Sequence, residues 1–225
     1  MTKALDASLK RMGTDYVDIY YLHHFDENTS LQETLLTLND FVRQGKVLYI
    51  GVSNFAAWQI MKAISICDRM NLSPISCVQP MYNLLKRQVE SEILPMAISE
   101  GLGVFTYSPL GGGLLSGKYL KEKSEESRFD TNTMYQKRYQ DKVNQEVVLS
   151  FNKFAADHKY NPVSLAIAWA GSHPGVTAPI VGARNADQLK PALDALSIPM
   201  DQQLRAEISA LSLSPALATD REEER

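Results

Sequence analysis

The chain has 225 residues, 44% of them hydrophobic and 22% charged, with a formal net charge of -3 at pH 7. That is globular composition with room for a sizeable core in one large domain or two small ones, and the slight acidity offers nothing to a nucleic-acid partner. Cys67 and Cys77 lack CxxC spacing, the start MTKALDASLKRMG has no apolar signal core, and no apolar run approaches the roughly 20 residues that span a bilayer, so no disulfide framework, no membrane partner and a cytoplasmic location are expected.

Taken in chain order, residues 4–12 put Leu5, Leu9 and Met12 on one helical face. VDIYYLH (17–23) is rich in β-branched and aromatic residues and reads as a buried strand. Ser30 is a plausible N-cap for a helix whose stripe is Leu31, Leu35, Leu38, Phe41 and Val42, with Gly45 ending it. VLYIGVSNF (47–55) is a strand, 56–70 a helix, and ISCVQPMYN (75–83) a short strand into a loop. VESEILPMAISEG (89–101) is a helix that Pro95 is expected to kink. Residues 102–119 are a strand running into a glycine-rich loop, and 120–142 are a polar excursion without a period. Helices follow over 144–160 and from Pro162 onward, then a strand at 177–183, a final amphipathic helix at 185–196 and a polar tail over 213–225.

Five rounds of strand and helix with short connections imply a parallel sheet covered by helices, and the apolar strands point to burial on both faces. A doubly wound sheet and a (β/α)8 barrel both satisfy that pattern. Both put the site at the C-terminal strand ends. Polar residues gather there: His23 and His24, Ser53 and Asn54, Gln79, Tyr107 and Ser108, Gly182 and Arg184.

Adjacent residues on a strand point to opposite faces, so His23 and His24 do not share a metal unless the backbone turns between them, and no HExxH or Cys/His cluster accompanies them. No metal is expected. A strand-end His is equally a satisfied polar residue or a catalytic one. GGGLLSGK (111–118) sets Gly112, Gly117 and Lys118 at P-loop spacing, but Tyr119 stands where Ser or Thr must hold magnesium. The loop is then either a pyrophosphate cradle or a flexible connector.

In combination, MGTDYVDIYYLH, GKVLYIGVSNF, VQPMYNLL, YSPLGGGLLSGKY and PIVGARNADQL resemble, in order and spacing, the aldo-keto reductases, and most of all the branch with bacterial general reductases and potassium-channel β subunits. The resemblance runs from about residue 4 to 200. It implies a (β/α)8 barrel domain over 1–212 that transfers hydride from NADPH to a small-molecule aldehyde or ketone without metal. By resemblance, His23 is the histidine that donates to the carbonyl oxygen as charge develops there, and His24 lines the substrate pocket. Ser53, Asn54 and Gln79 resemble the groups that hold the nicotinamide carboxamide, and Tyr107 the ring stacked on the nicotinamide. Ser108, Leu110, Gly112 and Lys118 resemble the pyrophosphate loop. Gly182, Arg184 and Gln188 resemble the segment around the adenosine 2′-phosphate, where a guanidinium suits a dianion. Ala192 departs from the Asn that many relatives carry there.

The family pattern also places three strands and two helices, with the Asp, Tyr acid and Lys, ahead of the helix that opens this chain. Five of eight strands are readable here. The expectation is a barrel incomplete at its N-terminus, either the C-terminal part of a longer reductase or a short protein that closes its edges as a homo-oligomer. Such a chain is expected to have negligible carbonyl turnover alone, and otherwise to draw its proton from Tyr20, Tyr21 or Tyr82. The alternatives are a cofactor-binding regulatory or sensing module without turnover, and an inert fragment.

Overall fold

The computed structural model describes residues 1–120, 139 and 141–219. The polar excursion therefore lies mostly outside the described residues, as does the end of the tail. In chain order the elements are α1 (Thr2–Met12), β1 (Val17–Leu22), α2 (Leu31–Arg43), β2 (Val47–Ser53), α3 (Ala57–Met70), β3 (Ile75–Gln79), α4 (Ile93–Ser99), β4 (Gly103–Thr106), α5 (Lys142–Asp157), α6 (Pro162–Gly171), β5 (Ala178–Pro179), α7 (Ala186–Asp194) and α8 (Gln202–Ser209). The strands pair in parallel, in the order β1-β2-β3-β4-β5. This is the α/β alternation of a (β/α)8 barrel, with five strands among the described residues.

Two compact units divide the chain. The first takes Met1–Pro80 and Pro95–Val104. Its core is set by helix stripes laid on the sheet: Leu5 and Leu9 of α1, Leu35, Leu38 and Phe41 of α2, Ile60, Ala63 and Ile66 of α3, against Val47, Ile50 and Val52 of β2 and Val78 of β3. Each such Leu, Ile or Phe contributes about 1.5–3 kcal/mol by leaving water. Gly13 and Gly45 end α1 and α2 at φ 68° and 70°, the left-handed turn that glycine takes at no steric cost.

The second unit takes Met81–Leu94 and Phe105–Arg225. Its centre is the very apolar α6, with Leu165, Trp169 and Ala170 buried. Asn161 caps α6 through Val163 N–H at 2.9 Å, and Pro162 opens it. Around Trp169 lies a polar network. Arg87 grips Glu90 with two nitrogens, at 2.9 and 3.0 Å. Tyr82 donates to Glu90 at 2.6 Å, and Arg205 donates to Tyr82, to the Trp169 carbonyl and to Ser172. Burial alone would raise the Glu90 carboxyl, but the hydrogen bonds from Arg87 and Tyr82 hold it below the ordinary value.

Several expectations are corrected. Every residue of β1 is partly exposed, because β1 is an edge that pairs only with β2 among the described residues. Met12 is exposed at the end of α1. Ser30 occupies the N-cap of α2 but makes no capping hydrogen bond. The helix expected from Val89 begins at Ile93, behind a separate turn at Gln88–Glu90; Pro95 then falls in the first turn, where its missing N–H costs nothing. The strands are shorter than the apolar runs. Asn54 and Ser108 both take φ 57°, which ends β2 at Ser53 and keeps β4 from running into the glycine loop. Pro80 has no N–H to extend β3. In β5, Pro179 limits the ladder to two residues, and Ile180 N–H adds one bond to the Thr106 carbonyl at 2.7 Å. The helix α8 did not register in the sequence.

Candidate functional site

In the first unit, β2 and β3 finish level, with Ser53 beside Gln79, and Leu22 of β1 beside Val52. The chain turns left-handed at Asn54, a conformation Asn tolerates better than most residues. That turn aims the Asn54 side-chain nitrogen at the His23 carbonyl, 2.9 Å away, and at Ser53 Oγ, 3.0 Å away. Ser53, buried, donates in turn to the Gln79 carbonyl at 2.9 Å. The fold thus brings His23, Asn54, Ser53 and Gln79 into one hydrogen-bonded line across three strand ends. The line commits the Ser53 hydroxyl proton and the Asn54 amide protons to the protein itself.

The histidine doublet begins one residue past β1, so alternation along a strand does not govern it. The two rings meet edge to face with centroids 4.7 Å apart. His24, but not His23, lines a cavity of about 470 Å³ together with Leu22, Phe25, Asp26, Thr34 and Phe55. That volume lies in the range of ligand pockets. Phe25 packs edge to face on Phe55 at 5.3 Å and beside the exposed Trp58 at 6.1 Å. Among the described residues, no group of three or more His, Cys, Asp or Glu is placed to hold a metal ion, and no helix is long and apolar enough to cross a membrane.

In the second unit, Tyr107 bridges to Met81, and its carbonyl accepts the Tyr82 N–H at 3.2 Å. The Ser108 carbonyl accepts from Gly111 N–H and from the Asn83 side chain. The Leu110 carbonyl takes the N–H groups of Gly113 and Leu115, which winds the loop into a 3-10 turn over Gly111–Ser116. Gly111, Gly112, Gly113 and Gly117 all have φ between 56° and 92°. The space that glycine leaves is used: a Cβ on Gly113 would stand 3.2 Å from Lys118 Nζ. The ammonium thus folds back over the loop backbone, with its cation 4.7 Å from the Tyr119 ring centre. On the last loop, Arg184 is exposed, its N–H bonded to the Gln188 side-chain oxygen at 3.2 Å, and Asn185 caps α7 through Gln188 N–H. Gly182 has open space where a side chain would be.

Asn83 was missed by sequence reading. It is fully buried, donates to the Ser108 carbonyl and accepts from Leu85 N–H, so it positions the start of the glycine loop. The signal was present: an Asn set between Tyr82 and two leucines is a polar residue in an apolar frame. The candidate proton sources are all engaged elsewhere. Tyr20 packs on Phe41 of α2, Tyr21 meets Cys77, and Tyr82 lies in the Glu90–Arg205 network. Burial pushes the phenols of Tyr21 and Tyr82 well above their ordinary value, the wrong direction for an acid.

A sequence model of the Aldo/keto reductase family matches residues 1–212. Over 200 residues the chain is 36% identical to an uncharacterized oxidoreductase, YrpG, of Bacillus subtilis, covering 89% of this chain and 60% of that protein. It is 36% identical to an L-glyceraldehyde 3-phosphate reductase of Escherichia coli O157:H7, covering 86% of this chain and 57% of that one. It is likewise 36% identical to a probable voltage-gated potassium channel subunit beta of Oryza sativa subsp. japonica, covering 88% and 62%. The chain therefore spans about three fifths of the length of these curated relatives. With a family match over nearly its whole length and this strand–helix order, the chain belongs to the aldo/keto reductase family.

Proposed function

We propose that this chain binds NADPH and serves hydride transfer to the carbonyl of a small aldehyde or ketone in the cytoplasm, through a barrel domain over residues 1–212 followed by a polar tail at 213–225. The observation that carries this reading is the line His23–Asn54–Ser53–Gln79. It ties the main chain of His23 and Gln79 to the side chains of Asn54 and Ser53, so that one residue suited to a carbonyl oxygen and three suited to a carboxamide start from a backbone held before any ligand arrives. The cofactor, when bound, supplies the hydride.

The chain's own residues then divide the work. In the first unit Ser53, Asn54 and Gln79 hold the nicotinamide carboxamide. His23 orients the carbonyl and stabilises negative charge on its oxygen, and His24 lines the substrate side. In the second unit Tyr107 stacks on the nicotinamide. Ser108, Leu110, Gly112 and Lys118 take the pyrophosphate; the turned backbone and the ammonium folded over Gly113 fit an anion. Gly182, Arg184 and Gln188 take the adenosine 2′-phosphate end.

The test is to titrate the chain with NADPH by fluorescence and to assay an aromatic aldehyde on the same sample. Saturable binding is expected, and its absence overturns the reading. A second reading, a cofactor-binding regulatory module without turnover, is favoured by the likeness to the rice channel subunit. Saturable binding with no turnover, in this chain and in a form extended to the length of the relatives, decides for it.

A further inference from the structure

Ser108 opens the glycine loop in a conformation that a residue with a Cβ rarely takes: its φ is 57°. Such a turn persists where its surroundings over-determine it. Two donors do so here. The Ser108 carbonyl accepts the Gly111 N–H at 3.0 Å and the Asn83 side-chain nitrogen at 2.9 Å. The peptide this carbonyl belongs to runs into Pro109, so it has an oxygen and no N–H. Facing a ligand, that oxygen would repel an anion. Both of its donors are groups of the protein.

Asn83 is just as firmly committed. It is fully buried. Its nitrogen also donates to the Tyr139 hydroxyl at 3.3 Å, which donates in turn to Met81 Sδ at 3.5 Å. Its oxygen accepts the Leu85 N–H at 3.0 Å. A carbonyl at one end and an N–H at the other fix which way the amide faces. The main chain closes the same turn, with Lys86 N–H on the Asn83 carbonyl at 2.9 Å. The turn then packs on the loop: a Cβ on Gly111 would stand 3.0 Å from Leu85 Cδ1 and 3.6 Å from Asn83 Oδ1.

We infer that Asn83 is a positioning residue for the anion end of the cofactor: its amide draws the Ser108 carbonyl into the protein, so that a pyrophosphate meets the turned backbone and the Lys118 ammonium without an opposing oxygen at the start of the loop. The inference rests on the pyrophosphate role of the loop proposed above.

Asn83→Asp keeps the side chain's size and the bond from Leu85 N–H. As a carboxylate it sets an oxygen against the Ser108 carbonyl; protonated, it regains a donor, and burial favours that form. Dissociation constants are measured by calorimetry from pH 8.5 to 6.0 for NADPH and for 2′-AMP, which lacks the pyrophosphate, with the parent chain, Asn83→Asp and Asn83→Ala. At pH 8.5 both variants are expected to weaken NADPH about threefold or more and to leave 2′-AMP unchanged. Toward pH 6.0 the loss in Asn83→Asp, relative to the parent chain, should shrink, while that in Asn83→Ala stays. If 2′-AMP weakens equally, or the Asn83→Asp loss ignores pH, Asn83 acts through general stability and the inference is overturned. Unchanged NADPH binding in both variants overturns it as well. Circular dichroism checks each fold. If one variant does not fold, the other decides, Asn83→Asp by its pH dependence or Asn83→Ala by the difference between ligands; if neither folds, Asn83 serves stability and the inference falls. If the parent chain binds no NADPH at all, the cofactor reading fails and this one with it.

Discussion

Arg184 carries its charge on an exposed loop, with its main chain pinned by Gln188 and its guanidinium in solvent. A charge-assisted pair with a 2′-phosphate dianion is worth about 1.5–3 kcal/mol. Arg184→Ala is therefore expected to weaken NADPH about tenfold or more and to leave NADH nearly unchanged; equal losses for both cofactors would remove Arg184 from the 2′-phosphate. Gly51 works through absence. Gly51→Ala forces a methyl group into the Tyr21 ring and the Cys77 sulfur, and overpacking of this kind costs about 1–3 kcal/mol. A urea titration of the variant should show that loss, and an unchanged midpoint would mean that the ring moves aside freely. At this scale the sequence was partly legible. Ser53, Asn54 and Gln79 stand out as polar residues after apolar strands. That the protons of Ser53 and Asn54 are spent on the Gln79 and His23 carbonyls and on Ser53 itself could not be read, because those bonds depend on strand register and on the left-handed turn at Asn54.

Elements were legible where an apolar stripe was long and illegible where polar contacts hold the element. The stripe of α2 gave its buried face directly, with Leu35, Leu38 and Phe41 all inside. The short α8 offers only Leu204 and Ile208 to a periodicity reading, and it is fastened by other means. Arg205 reaches Tyr82, the Trp169 carbonyl and Ser172, while Ser209 accepts from the Trp169 indole and its carbonyl from Arg87. Strand ends were overestimated for the opposite reason: apolar residues ran on past prolines and left-handed turns that no hydropathy pattern registers. Arg205→Ala takes the donor from the Tyr82 and Ser172 hydroxyls and one of the three donors from the Trp169 carbonyl, which keeps the Ser172 hydroxyl and N–H. It is expected to destabilise the chain by about 2–3 kcal/mol in urea unfolding, against a loss near zero for Gln203→Ala on the exposed side of the same helix.

At the scale of the whole molecule, that network makes stability depend on pH, and the signs can be worked out group by group. His173 lies edge to face with Tyr82, and its Nδ1 accepts the Gly175 N–H at 3.0 Å. Burial lowers its pKa below the ordinary 6.5, and the charges of Arg205 and Arg87 lower it further, against the pull of Glu90. In the unfolded chain the imidazole takes up its proton at the ordinary value, so the unfolded state binds more protons as the pH falls below 6.5, and stability falls with it. Glu90 is held below its ordinary 4.5 by Arg87 and Tyr82. Its contribution is present above that value and is lost as the pH drops below it toward the folded pKa. The expected profile is a first decline beginning near pH 6.5 and a second beginning near 4.5. Urea midpoints at pH 7.5, 5.5 and 4.0 measure both. His173→Gln, which keeps an acceptor for Gly175 but does not titrate, should flatten the first decline and spare the second. A midpoint that stays level from pH 7.5 to 5.5 in the parent chain, or a first decline that survives His173→Gln, would show that the histidine is protonated equally easily in both states, and that the cations around Trp169 do not reach it.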